Sequence, residues 1–436
     1  MFKFFIMKKK LLSFAVLLVA TTVIFAQSNT SDVNSLGVDN LATVLQIGDL
    51  NDSDIDQNGQ MNVLGGVENW ADVYQFGSLN AAIINQRGEF NIAQVIQEGI
   101  GNYSNQSQGV GWAENNFQLA LQVGDDNTSY QLQRWDNNRG IVHQFGGNNW
   151  GEQDQRTGVN GALGNFAFIL QEGWWNGAYQ VQFGKENTAY AFQYGFGNYS
   201  DQNQLGDFNY AEVIQNGSSN MAYQTQTGNG NGAWANQDGF FGGFMNYSDQ
   251  TQIGDDNMAY TFQRGAFNKA YQTQDGTINL ANANQYGASN YSDQYQYGDD
   301  NKATVLQMGW FNKAYEYQYG VGNISATDQF GTSNIGLTYQ EGEANNSYTN
   351  QVGFVNMSGT AQFGWRNNSD TFQNGFHNMS GTLQMGMDNV ALTTQTGDLN
   401  FSLTTQFGSL HNSVVNQVGN GNMAFVVQYG GASTPF

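Results

Sequence analysis

The sequence predicts an all-β protein, a two-sheet β-solenoid wound from 22-residue coils of strand, arch, strand and arch. Three observations predict it. Gln recurs every 11 residues, Gly follows most of these Gln two positions later, and Pro is nearly absent.

A chain of 436 residues would ordinarily divide into two or three globular domains. Here only 11% of residues are charged and Gly numbers 55, a composition that on its own suits disorder. Two features argue for order instead. The single Pro is Pro435, and aromatic residues reach 14%. Stacked sheet excludes Pro, and disordered chains are poor in aromatics. Cys is absent, so neither disulfides nor thiolate metal sites hold the fold. A net charge of -22 and a pI near 4.1 argue against nucleic acid as a partner, since binding it takes a basic surface. The negative charge suits solubility and slows self-association.

Residues 1–26 read as a secretory signal peptide. Lys8, Lys9 and Lys10 precede an apolar run from Leu11 to Phe25, and Ala26 is a small residue for cleavage. The run is shorter than the roughly 20 apolar residues a bilayer span needs. Removing Lys3, Lys8, Lys9 and Lys10 takes the charge from -22 to -26. Residues 27–39 form an N-terminal segment, 40–430 the repeat array and 431–436 a C-terminal tail. No later segment is long and apolar enough to span a membrane, so the mature protein is expected to be secreted.

The array carries the argument. Gln252, Gln263, Gln274, Gln285, Gln296 and Gln307 open a run that continues in steps of 11 to Gln428. Earlier runs keep the step, as in Gln75, Gln86, Gln97 and Gln108. Two residues after each Gln stands Gly: Gly254, Gly265, Gly276, Gly287, Gly298 and Gly309. Three further on stands Asn: Asn257, Asn268, Asn279, Asn290, Asn301 and Asn312. The unit reads Asn-x-(Ala/Ser/Gly)-x-x-x-Gln-x-Gly-x-x. From Asn to Gln is a normal strand length. Gly then falls in a short connector, where tight reversal needs φ angles that Gly tolerates. Side chains alternate along a strand, so Asn, the small residue, the fifth residue and Gln share one face. That recurring face is assigned to the interior, where Asn and Gln ladders bond amide to amide between coils.

The fifth residue sets the true period. It runs Gln250, Thr261, Gln272, Ala283, Gln294, Val305, so two unlike 11-residue halves make one 22-residue coil. From Thr327 to Thr404 it is Thr throughout. Extra residues near 109–114, 160–165 and 239–244 leave the alternation intact and read as loops inserted at arches. The spacing between Asn62 and Asn69 reads as a shortening. Seventeen or so coils at about 4.8 Å each give a rod on the order of 80 Å long.

The array resembles the curlins, the subunits of bacterial curli fibres, whose repeat reads Ser-x5-Gln-x-Gly-x-Gly-Asn-x-Ala-x3-Gln. Gln252, Gly254, Asn257, Ala259 and Gln263 follow that pattern. The fuller Gly-x-Gly-Asn form occurs at Gly195–Asn198, Gly228–Asn231, Gly320–Asn323 and Gly419–Asn422. The resemblance covers nearly all of 40–430, with Asn usually in place of the leading Ser. It implies export through an outer-membrane pore, nucleated polymerisation at the cell surface, and a role in biofilm matrix and adhesion. It leaves open whether the chain is the main fibre subunit or a nucleator.

No catalytic, cofactor or metal residues are expected. His143, His377 and His411 lack ligand-like spacing, and His411 stands where a ladder Asn belongs. Asp255-Asp256 and Asp299-Asp300 share one edge two coils apart, which suits either a solvated acidic edge or bridging calcium. The Thr run would suit an ice-binding face only if it pointed outward. Tyr260, Phe262, Tyr271, Tyr291, Tyr295, Tyr315 and Tyr317 share the opposite strand face, expected outside. The reading is therefore a structural fibre subunit that polymerises with itself by strand addition. The alternative is a monomeric secreted solenoid adhesin or an ice- or ligand-binding protein.

Overall fold

The computed structural model describes residues 28–58, 67–109, 113–157, 163–238 and 243–430. The signal peptide and the C-terminal tail lie outside the described residues. The described residues form 36 strands, from Thr30–Leu36 to Met423–Gly430, all in parallel pairs. No helix among the described residues is long and apolar enough to cross a membrane.

Successive strands alternate between two sheets, and each pairs in register with the strand one coil later. Tyr247–Ile253 pairs with Lys269–Asp275 in one sheet. Met258–Ala266 pairs with Leu280–Ala288 in the other. Both pairs are offset by the 22 residues that the fifth-position alternation predicts. The first described strand, Thr30–Leu36, pairs with Asp52–Asn58, so residues of the segment 27–39 take part in the solenoid.

The period stretches at four places without losing register. Gln97 bonds Gln122 at a separation of 25, Gln144 bonds Gln171 at 27, and Gln226 bonds Gln252 at 26. These are the three expected insertions. The fourth corrects the sequence reading. Asn69 stacks on Asn40 at a separation of 29, so this coil is lengthened and not shortened. The Asn62 used as a landmark falls in 59–66, outside the described residues. Near 239–246 the strand Gly232–Asp238 resumes as Gly243–Phe244, and both pieces pair with Tyr210–Ser218. They make one interrupted rung. The sheet that begins with Thr30–Leu36 therefore has 18 rungs and its partner 17.

Burial alternates as the repeat requires. In Met258–Ala266 the residues Ala259, Thr261 and Gln263 are buried, while Met258, Tyr260 and Phe262 face out. Ala259, Ala270, Ala281 and Ala303 have no exposed surface, so the two sheets approach closely. The outward aromatics stack along the axis. Tyr199, Tyr223, Tyr247, Tyr271, Tyr291 and Tyr315 form one row with centroids 5.3–5.7 Å apart.

The strand bounds differ from the expected seven residues. Asn257 precedes its strand, and the strand runs past Gln263 to Ala266. The reason lies in the corner. Gly265 has φ +119, and a Cβ there would lie 2.0 Å from the Gly287 carbonyl oxygen of the next coil. Gly is thus required both for its backbone angle and for the close approach of coils. Two residues later a second left-handed residue completes the turn, as at Asp256, Phe267 and Ile278 with φ of 56–58°. The Gly-x-Gly-Asn form puts Gly at this second corner too, as at Gly230 and Gly322.

Candidate functional site

The candidate functional feature of this solenoid is its ladder system and the rungs at which, among the described residues, it stops. Gln252, Gln263, Gln274, Gln285, Gln296 and Gln307 are fully buried. Each makes two kinds of bond. The Gln263 amide donates to the Gln285 side-chain oxygen (2.8 Å) in the next coil. It also donates to the Tyr247 carbonyl (2.8 Å) in the opposite sheet. One side chain thus ties coil to coil and sheet to sheet. Buried amides are tolerated here because the neighbouring coil satisfies them.

Asn257, Asn268, Asn279, Asn290, Asn301 and Asn312 are buried at the arches. The Asn257 side-chain oxygen accepts from the backbone N–H of Asn279 (3.0 Å) and from its amide (3.1 Å). The Asn279 amide also donates to the Gly298 carbonyl (2.6 Å). That carbonyl belongs to the Gly ladder, in which Gly254, Gly265, Gly276, Gly287, Gly298 and Gly309 all have φ between +107° and +132°. His411 keeps half of the Asn function. Its Nε2 lies 2.9 Å from the Gly430 carbonyl and 3.0 Å from that of Phe407. It has no side-chain carbonyl to offer the next coil.

The acidic arches have a structural use. Asp255 accepts from the backbone N–H of Asn229 (2.8 Å), and Asp299 from that of Thr277 (3.1 Å). No group of three or more His, Cys, Asp or Glu among the described residues could hold a metal ion. Thr327, Thr338, Thr349 and Thr371 point inward and are buried, so they present no ice-facing surface.

One core residue escaped the sequence reading. Glu316 occupies the fifth position between Val305 and Thr327, where its sheet has Gln294 before it and Thr338 after it. It is fully buried, and its Oε1 has no hydrogen-bond partner. Gln294 donates to its Oε2 at 3.3 Å. Burial pushes the carboxyl up to about 7. Reading the fifth position without a gap would have exposed it.

Residues 400–430 match the family model of the curlin associated repeat. The match covers the last coils of the solenoid and places a curlin-like repeat there. No curated protein matches the chain. In the ladder Gln is the residue whose loss is felt in two neighbouring coils. Gln285→Leu is expected to leave the Gln263 amide and the Gln307 oxygen without their ladder partners. With about 1–3 kcal/mol for each unsatisfied buried group, the loss should be local to coils 263–307. Hydrogen exchange of those amides, against amides near Gln395, measures it.

Proposed function

We propose that this protein is the structural subunit of an extracellular, curli-like amyloid fibre that grows end to end by strand addition. The observation that carries the reading is the state of the terminal coils among the described residues. The first strand, Thr30–Leu36, is exposed along its whole length. In the last strand Met423, Phe425, Val427 and Tyr429 are 57–73% exposed. Parallel rungs with free edges are templates for another chain. The curlin-like repeat at 400–430 supports an extracellular, structural and non-enzymatic role. By the same analogy, a nucleator subunit and an outer-membrane secretion pore are the partners, and biofilm matrix and adhesion the use.

The test is electron microscopy of purified residues 27–436 after days at moderate concentration, with thioflavin fluorescence followed alongside. Unbranched thioflavin-positive fibres that seed fresh protein are expected. Stable single rods, unchanged by added seeds, would sink the proposal and favour a monomeric adhesin.

A further inference from the structure

We infer that successive subunits in the fibre are related by a half-turn about the long axis, so that each copy sets its first sheet on the second sheet of the copy before it. This rests on the end-to-end reading above and adds the geometry of the joint.

The argument starts from the rung count. Among the described residues the first and last rungs lie in the same sheet, with 18 rungs there and 17 in the other. The last described strand is Met423–Gly430, and the next position along the spiral, over Asn412–Val418 in the other sheet, holds no strand of the described residues. Stacking a second copy without rotation puts Thr30–Leu36 over Met423–Gly430 and leaves the site over Asn412–Val418 empty. A half-turn puts Thr30–Leu36 over Asn412–Val418 and Leu41–Asp49 over Met423–Gly430, and the spiral continues with no rung missing.

The side chains fit the rotated joint. Inside, Ser31 falls on Ser413, Val33 on Val415, Ala42 on Ala424, Val44 on Val426 and Gln46 on Gln428, and the one unlike pair within these strands is Ser35 on Gln417, where a hydroxyl takes the place of the ladder amide. Nine of the nineteen residues from Asn412 to Gly430 are identical to those from Thr30 to Gly48, gap-free, including Gly37 with Gly419 and Gly48 with Gly430. Serine on serine is a contact the solenoid already uses, in the 3.0 Å bonds of Ser53 to Ser31 and Ser129 to Ser104. Gln428 donates to the Asn412 carbonyl (2.9 Å) and has no ladder Gln beyond it among the described residues. Gln46 of the incoming copy would supply that acceptor.

The outward faces decide between the arrangements. With the half-turn, the exposed row Met423, Phe425, Val427, Tyr429 meets Leu41, Thr43, Leu45, Ile47. The row Asn412, Val414, Asn416, Val418 meets Thr30, Asp32, Asn34, Leu36, so Asn stacks on Asn. Without rotation Phe425 would meet Asp32 and Val427 would meet Asn34. Only the rotated joint sets the row Met423, Phe425, Val427, Tyr429 on a mainly apolar row, and its one charged mismatch is Val414 on Asp32.

The half-turn also needs the two unlike halves of the coil to become interchangeable at the ends. They do. Mid-array, one sheet has Gln272 and Gln294 at the fifth position where the other has Ala283 and Val305. At the ends both sheets have Val: Val33 and Val44 at one, Val415 and Val426 at the other.

The chain has no Cys, so disulfide trapping reads the joint directly. Chains carrying Asp32→Cys with Val414→Cys are assembled reduced and then oxidised. Covalent multimers on a non-reducing gel are expected. Chains with Asp32→Cys and Phe425→Cys, neighbours only without rotation, should give none. Multimers from the second pair, or from neither while fibres form, would overturn the half-turn. Helical reconstruction of unsubstituted fibres gives a second readout, and a subunit rotation without the extra half-turn would overturn it equally. Failure of the unsubstituted chain to form fibres would instead overturn the end-to-end reading itself.

Discussion

Gly276→Ala is expected to split its coil from the next, whereas Gly322→Ala, in an arch two coils on, is expected to be nearly silent. Both glycines have positive φ, +132° at Gly276 and +64° at Gly322. The difference is what a methyl group would meet. At Gly276 the Cβ would lie 2.0 Å from the Gly298 carbonyl oxygen, with Gly298 backbone carbons at 2.7 and 3.1 Å. These are backbone atoms held by the same arch ladder, so no rotamer relieves the clash. The Asn279 amide that bonds the Gly298 carbonyl would lose its acceptor as the coils part. Steric conflict and a broken buried network together belong to the class of substitutions costing about 4 kcal/mol or more. At Gly322 nothing lies within 4 Å of the added Cβ. The equivalent corners hold Ile278, Phe311 and Val355 at φ 56–58°. The cost there is the αL preference alone, about 1 kcal/mol. Hydrogen exchange around residues 265–298 and 311–342 compares the two. Equal protection loss in both variants would refute the account of the Gly ladder.

Glu316→Gln is expected to stabilise the middle of the solenoid at neutral pH and to leave it unchanged in acid. The wild-type carboxyl has an ordinary value of 4.5 and is raised by burial to about 7. Below pH 4.5 it is protonated in both folded and unfolded chains, and its contribution to stability is full. Between pH 4.5 and 7 the unfolded chain has released a proton that the folded chain still holds, so that contribution falls, and above 7 it is gone. The rise from 4.5 to about 7 corresponds to a stability difference on the order of 3 kcal/mol. The surroundings give the charge little help. Gln294 donates to it, and the Thr327 and Ser325 hydroxyls face it from the other sheet. Asp328, on that same strand, repels it. A Gln would restore the ladder of Gln272 and Gln294. Asp201, Asp249, Asp293 and Asp370, half-buried on the outer faces, are also raised by burial and push stability the same way with pH. Comparing variant with wild type cancels them. The check is denaturant unfolding, followed by exchange of amides between 294 and 338, at pH 4 and pH 8. A gain of equal size at both pH values would show that the carboxyl does not titrate in the fold.

The face that is buried was legible because the repeat states it many times over. Asn, the small residue and Gln recur together, and only a packed interior imposes the same residue on every coil. The outward face varies freely, with Tyr271, Asn282, Asp293 and Thr304 at equivalent places, because neighbouring side chains there must only stack or face water. The insertion between Asn58 and Asn69 was misread since extra residues contain an Asn of their own. Spacing alone does not say which Asn joins the ladder, and hydrogen bonds do. The second left-handed corner left a trace only where the Gly-x-Gly-Asn form occurs, as at Gly230 and Gly322, since elsewhere residues as unlike as Asp256 and Leu410 occupy it.

The sequence by itself determined the period, the inward face and the parallel two-sheet coil, because a strict 11-residue recurrence admits few ways to stack identical side chains. Tertiary structure decided what depends on counting rungs and comparing neighbours in space. It placed Glu316 beneath Thr338 with one oxygen unbonded, and it brought each Gly Cβ direction against a carbonyl of the next coil. It also gave the described residues an odd number of rungs, with matching valines in the first and last of them. Those relations join residues 22 or more apart, and in the terminal coils residues almost the whole chain apart, so no local pattern encodes them.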